Sequence, residues 1–143
     1  LPLAGAKPGI LLGPGGFGTR RLATDGAFVS ALRKAAEESV YCLTVCTGSA
    51  LLAKTGLLDG MSATSNKRAF DWAVSVHPNV RWQRRARWVS DGKFYSSSGV
   101  SAGIDMAPCF IRDRSGEEKA REIADSMEYV WNGHPDNDPF ALD

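Results

Sequence analysis

No charge of one sign dominates the chain: 17 Lys and Arg stand against 16 Asp and Glu over 143 residues, a formal net charge of +1. This balance gives no electrostatic basis for nucleic acid or an anionic membrane as partner, so the expected partner is a small-molecule substrate. Long apolar runs are also missing. No stretch approaches the roughly 20 residues that cross a bilayer, and no basic flank with an apolar region opens the chain as a secretory leader would. Histidine is scarce, and neither His77 nor His134 has a second ligand at metal spacing. No metal and no other cofactor is expected. Cysteine is odd in number, with Cys42, Cys46 and Cys109 and no Cys-x-x-Cys. A disulfide framework is thereby disfavoured, and a reducing, cytoplasmic setting is expected. Repeats and low-complexity tracts are absent, and the length fits one domain with a real core.

The chain does contain an alternation of short apolar runs with helix-period segments, the pattern of an α/β fold with a mostly parallel sheet. Gly9 to Leu12 reads as a strand running into the loop Gly13-Pro14-Gly15-Gly16-Phe17-Gly18, whose glycines allow close backbone approach. From Asp25 to Ser39, Phe28, Leu32, Ala35 and Ala36 recur at helical spacing, with Arg33, Lys34, Glu37 and Glu38 left for solvent. Ser62 to Thr64 reads as a short strand and Lys67 to Val76 as a helix ended by Pro78. Val80 to Gln83 and Ala86 to Ser90 read as strands, and Asp91-Gly92 before Lys93-Phe94-Tyr95-Ser96 marks an antiparallel hairpin. Ala102 to Arg114 is expected to be a helix kinked at Pro108, followed by a helix from Glu117 to Trp131. That last helix would bury Ala120, Ile123, Ala124, Met127 and Val130 or Trp131. The tail from His134 is polar and proline-rich and is expected to lie extended on the surface.

The chemistry concentrates at Cys46. The apolar run Val40 to Val45 ends there, Thr47-Gly48-Ser49-Ala50 follows at once, and the helix that begins at Ser49 stops near Gly56. A strand passing into a helix through one thiol is a nucleophile elbow, in which a sharp turn lifts the reactive atom above the sheet. The helix N-terminus favours the thiolate, which is the reactive form of cysteine. The competing reading is a buried core cysteine. Elsewhere, His77 reads as a helix-end or surface residue and Asp105 as a stabiliser of its helix's first turn. The four tryptophans read as packing or interface anchors. Arg81, Arg84, Arg85 and Arg87 are expected on a solvated strand edge.

Four segments together resemble the ThiJ/PfpI superfamily: Gly13 to Arg20, Val45 to Ala53, Gly56 to Gly60, and Ser101 to Ala107. The likeness is greatest to its isonitrile hydratase branch and extends to Asp138-Pro139-Phe140-Ala141. It implies a flavodoxin-like three-layer sandwich of the class I glutamine-amidotransferase type with a mostly parallel central sheet and a small antiparallel hairpin. It also implies a homodimer. Residues 1–143 would form a single domain of this type that lacks the first β-α-β segment, and with it the Glu or Asp that superfamily members place beside the nucleophile. Carried over by residue, Cys46 is the nucleophile and Thr47 a catalytic neighbour whose hydroxyl orients water or substrate. The N–H groups of Thr47, Gly15 and Gly16 would form the anion-stabilising pocket. Asn66 stands where several superfamily members have histidine, which disfavours a Cys-His-acid triad.

The resulting expectation is a cysteine-dependent hydro-lyase that adds water to an isonitrile through a Cys46 thioimidate and yields an N-substituted formamide. Its substrate is expected to be neutral and its pocket apolar. A glyoxalase-like or deglycase-like enzyme acting on small carbonyls is the alternative within enzymes. A catalytically silent module in which Cys46 serves as a redox sensor is the alternative outside them.

Overall fold

The computed structural model describes residues 3, 5 and 7–141. The apolar run that precedes Cys46 forms the central strand β2 (Tyr41–Val45), and β1 (Ile10–Gly13) pairs with it in parallel. The Asp91-Gly92 signal yields the expected hairpin of β5 (Trp88–Asp91) and β6 (Phe94–Ser97), whose second strand lies parallel to β2. The four-stranded sheet therefore has the order β1-β2-β6-β5, parallel except at β5. Two short strands, β3 (Ser62–Ala63) and β4 (Arg81–Trp82), pair in parallel beside it.

Strand alternation divides the core between two faces. Cys42 packs with Ala36, Leu52, Ala53 and Leu58 on one side of the sheet. Here lie α2 (Gly26–Glu38) and α3 (Gly48–Lys54), with α1 (Gly18–Leu22) and α4 (Phe70–Val76) packed against α3. Leu43 meets Trp88, Tyr95, Met106 and Cys109 on the other side, under α5 (Val100–Ser115), which also carries α6 (Glu117–Ser126). These layers give the flavodoxin-like three-layer sandwich. Helix α2 starts where its sequence says it should, because Asp25 accepts a hydrogen bond from the Phe28 N–H at 3.0 Å.

Several local expectations are corrected. The one-turn helix α1 directly after the glycine loop was not anticipated. The segment from Lys67 begins as a 3-10 turn (Lys67–Ala69) capped by the Asn66 side chain, and becomes α-helical only at Phe70. Helix α5 is continuous through Pro108. Helix α6 stops at Ser126 instead of Trp131: Glu128 takes a left-handed φ of 55° and the Tyr129 N–H closes back on Ala124 O. Met127 and Val130 are therefore exposed, and Ala120 and Ala124 form the buried stripe.

The tail is docked as well as extended. Pro135 O accepts from Arg87 N at 2.6 Å and the Asp138 N–H donates to Arg85 O at 2.8 Å, which buries Asp138. The end of the tail, Leu142 and Asp143, lies outside the described residues. Arg87 is likewise not on a solvated edge but only 7 % exposed. Its guanidinium donates to Asp105 Oδ2 through Nε at 2.9 Å and Nη2 at 2.7 Å, and Nη1 lies 3.9 Å from Asp138. Asp105 is not a first-turn carboxylate. It sits inside α5, 1 % exposed, and its Oδ1 accepts from Tyr129 OH at 2.6 Å and Asn132 N at 3.1 Å. One buried carboxylate thus joins β5's approach, α5 and the tail.

Candidate active site

The carboxyl ends of β1 and β2 meet at one rim of the sheet, where ligands of open α/β sheets bind. Cys46 follows β2 immediately and takes a φ of 59°, a left-handed conformation that costs a residue with a Cβ about 1–2 kcal/mol. Its backbone is held on both sides. Its N–H donates to Ser97 O at 3.1 Å, and its carbonyl accepts from Ser49 Oγ and Ser65 Oγ, each at 3.1 Å. Ser65 and Ser49 are buried, so they fix the turn instead of meeting a substrate. Neither contact has a sequence signal of its own, and that of Ser65 spans 19 residues.

The glycine loop closes on the same turn. A Cβ at Gly15 would lie 2.7 Å from Thr47 N and 2.8 Å from Cys46 Cβ, so only glycine fits there. The Thr47 hydroxyl faces this loop. Its Oγ1 accepts from Gly16 N at 3.1 Å, lies 3.3 Å from Gly16 O, and is 3.1 Å from Thr19 Oγ1. Thr47 is buried, and its hydroxyl clamps loop to elbow. Gly16 can act as an anion donor only by releasing that bond.

The three thiols differ sharply. Cys42 and Cys109 are buried, and burial pushes both thiols above their ordinary range. Cys46 is half-buried and borders two clefts. The larger, about 710 Å³, is walled by apolar side chains including Leu12, Val45, Ile104, Met106 and Met127. The smaller, about 380 Å³, is lined by Gly16, Phe17 and Thr47 with Arg20, Asn66 and Arg68. No Asp, Glu or His lines either cleft among the described residues. His77 instead pairs with Asp59 at the end of α4, and no group of three metal-ligating side chains occurs among the described residues. Asn66 reaches the smaller cleft while its Oδ1 caps Ala69 N at 3.1 Å.

Comparison with known proteins agrees with this geometry. Residues 3–113 match the model of the DJ-1/PfpI family. Isonitrile hydratase from Pseudomonas putida is 30 % identical over 143 aligned residues, which cover 93 % of this chain and 59 % of that protein. The HTH-type transcriptional regulator CdhR of Pseudomonas aeruginosa is 31 % identical, across 85 % of this chain but only 35 % of its own length. Among solved structures, a ThiJ/PfpI family protein from Pseudomonas syringae superposes with a TM-score of 0.75 at 27 % identity, covering 87 % of this chain and 50 % of that one. The chain thus spans between about a third and three fifths of the length of these proteins. With the elbow, the glycine loop and the layered sheet in place, the chain belongs to the DJ-1/PfpI family.

Proposed function

We propose that this chain carries the nucleophile of an isonitrile-hydratase-like lyase. The observation that carries the reading is Cys46 itself: a thiol held in a strained turn, half-exposed, at the head of a large apolar cleft. In the proposed reaction, Cys46 sulfur bonds to the terminal carbon of R–N≡C and that carbon takes a proton, forming a thioimidate. Water adds to the same carbon, the C–S bond breaks, and R–NH–CHO leaves with the thiol restored. The N–H groups of Thr47, Gly15 and Gly16 are assigned to the developing anion, that of Gly16 once its bond to Thr47 Oγ1 opens. The proton-handling carboxylate is assigned to a β-α-β segment ahead of Leu1. Support comes from β1, whose outer edge pairs with no strand among the described residues and whose Leu12 is 60 % exposed. Homodimerisation and a cytoplasmic location belong to the same proposal.

The similarity to CdhR favours a second reading, a ligand- or oxidant-sensing module without turnover. One experiment separates them. An alkyl isonitrile is incubated with the protein and formamide is followed by NMR. Formamide that forms with wild type and vanishes in Cys46→Ala supports the lyase. Saturable binding without formamide, or formamide formed equally by Cys46→Ala, refutes it.

A further inference from the structure

The smaller cleft beside Cys46 has an electrostatic character that the chain's overall charge of +1 conceals. Arg20 and Arg68 both line it, and no carboxylate does. Other arginines that line clefts or are buried are answered by acids: Arg84 pairs with Asp71, Arg87 with Asp105 and Arg112 with Asp113. The Arg68 side chain has no hydrogen bond, ion pair or ring contact among the described residues. Arg20 is positioned without being neutralised. Its guanidinium stacks 4.5 Å from the centroid of Trp72 and 5.9 Å from that of Phe17. Ring contacts at Arg20 leave its N–H groups for an anion, and with Arg68 as a second guanidinium in the same cleft the pair suits recognition of a carboxylate.

We propose that Arg20 and Arg68 form a carboxylate-binding subsite, so that the molecule presented to Cys46 is a small organic acid whose electrophilic carbon lies a short distance from its carboxylate. This inference rests on Cys46 being the nucleophile and sharpens its substrate class: the apolar cleft takes the body of the molecule and the smaller cleft its charge. It also revises the expectation of a neutral substrate. For the lyase reaction, an isocyanocarboxylate is the predicted class, in preference to its ester.

The test does not depend on turnover. Iodoacetate and iodoacetamide alkylate a thiol by the same step, in which sulfur bonds to the CH₂ carbon and iodide leaves, and differ in carrying a carboxylate or a neutral amide. Rates at Cys46 are read by peptide mass mapping in wild type, Arg20→Gln, Arg68→Gln, the double variant, and Lys34→Gln as a remote charge control. The subsite predicts an iodoacetate-to-iodoacetamide ratio well above that of free cysteine. The ratio should fall about tenfold in the double variant, recover in part with Arg20→Lys, shrink with added salt, and stay unchanged in Lys34→Gln. A ratio like that of free cysteine, a ratio indifferent to both arginines, or a Cys46 inert to both reagents overturns the proposal. An arginine-dependent ratio without formamide from any isonitrile leaves the subsite standing and removes the lyase. Formamide formed equally well from isocyanoacetate and its methyl ester does the reverse. Inorganic phosphate as competitor distinguishes the anion: protection by acetate but not phosphate is expected, and protection by phosphate alone overturns the carboxylate assignment.

Discussion

Replacing Asp105 by Asn removes one charge and nearly no volume, and the structure allows its cost to be estimated. The carboxylate accepts four hydrogen bonds, two from Arg87 on Oδ2 and those of Tyr129 OH and Asn132 N on Oδ1. An amide retains one oxygen, so whichever way it turns, an NH₂ faces donors on the other side and those bonds are lost. Arg87 is left buried without its close counter-charge, its other partners being Ser101 Oγ at 3.4 Å and the Asp138 carboxylate at 3.9 Å. Breaking a buried pair by removing one member costs about 3–5 kcal/mol, and the Asp138 contact sets the expectation at the lower end, about 3 kcal/mol. Against a total of roughly 5–15 kcal/mol this is severe, yet Asp105→Asn should still fold in buffer. Urea unfolding followed by tryptophan fluorescence reads it as a lowered midpoint with an unchanged slope. Burial and Asp105 together push the Tyr129 hydroxyl up to about 12, so the same variant should bring its titration back toward 10. The paired change Arg87→Met with Asp105→Leu should recover only part of the stability, because it removes both charges of the close pair but leaves the buried Asp138 without Arg87. A loss below about 1 kcal/mol in Asp105→Asn, with Tyr129 titrating as before, would refute this account of the network.

Other outcomes follow from the site and its surroundings. Cys46→Gly should be more stable than Cys46→Ala by roughly 1 kcal/mol in chemical denaturation, because glycine accepts the left-handed φ of 59° without strain. Gly15→Ala should slow Cys46 alkylation at least tenfold and destabilise the fold by about 1–3 kcal/mol, since its Cβ would press on Thr47 N at 2.7 Å. Lys67, 6 % exposed with Nζ donating to Thr64 Oγ1 and Ala86 O, is pulled down to about 8 by burial. Between about 8 and the ordinary 10.5 the unfolded chain therefore holds a proton that the folded chain lacks, so Lys67 should make stability rise with pH across that window by about 3 kcal/mol. Urea midpoints measured over this range should lose that rise in Lys67→Met.

What the sequence disclosed is what local pattern can encode. The mostly apolar run of β2, the turn-forming glycines of the loop, the Asp25 cap and the Asp91-Gly92 turn each act within a few positions, and each reads directly as structure. Cys46 was legible for the same reason, since strand, thiol and helix are contiguous. The parts that were not legible depend on contacts distant in sequence. Arg87, Asp105 and Asp138 look like solvated residues in their own segments and become a buried network only when residues 18 positions and more apart meet. Ser65 gives no hint that it holds the Cys46 carbonyl, and Arg20 and Arg68 share a cleft only after α1 and the 3-10 turn are placed. The end of α6 escaped because Glu128, and not a glycine, takes the left-handed position that stops it.

The proposed reaction requires Cys46 to form a covalent bond to the substrate carbon. Intact mass and peptide mapping of protein quenched during reaction with isocyanoacetate test it directly. A species heavier by one substrate molecule, located on the Cys46 peptide and appearing before formamide, is the predicted result. Formamide released at an undiminished rate by Cys46→Ala, with no adduct on the wild-type thiol, would contradict it.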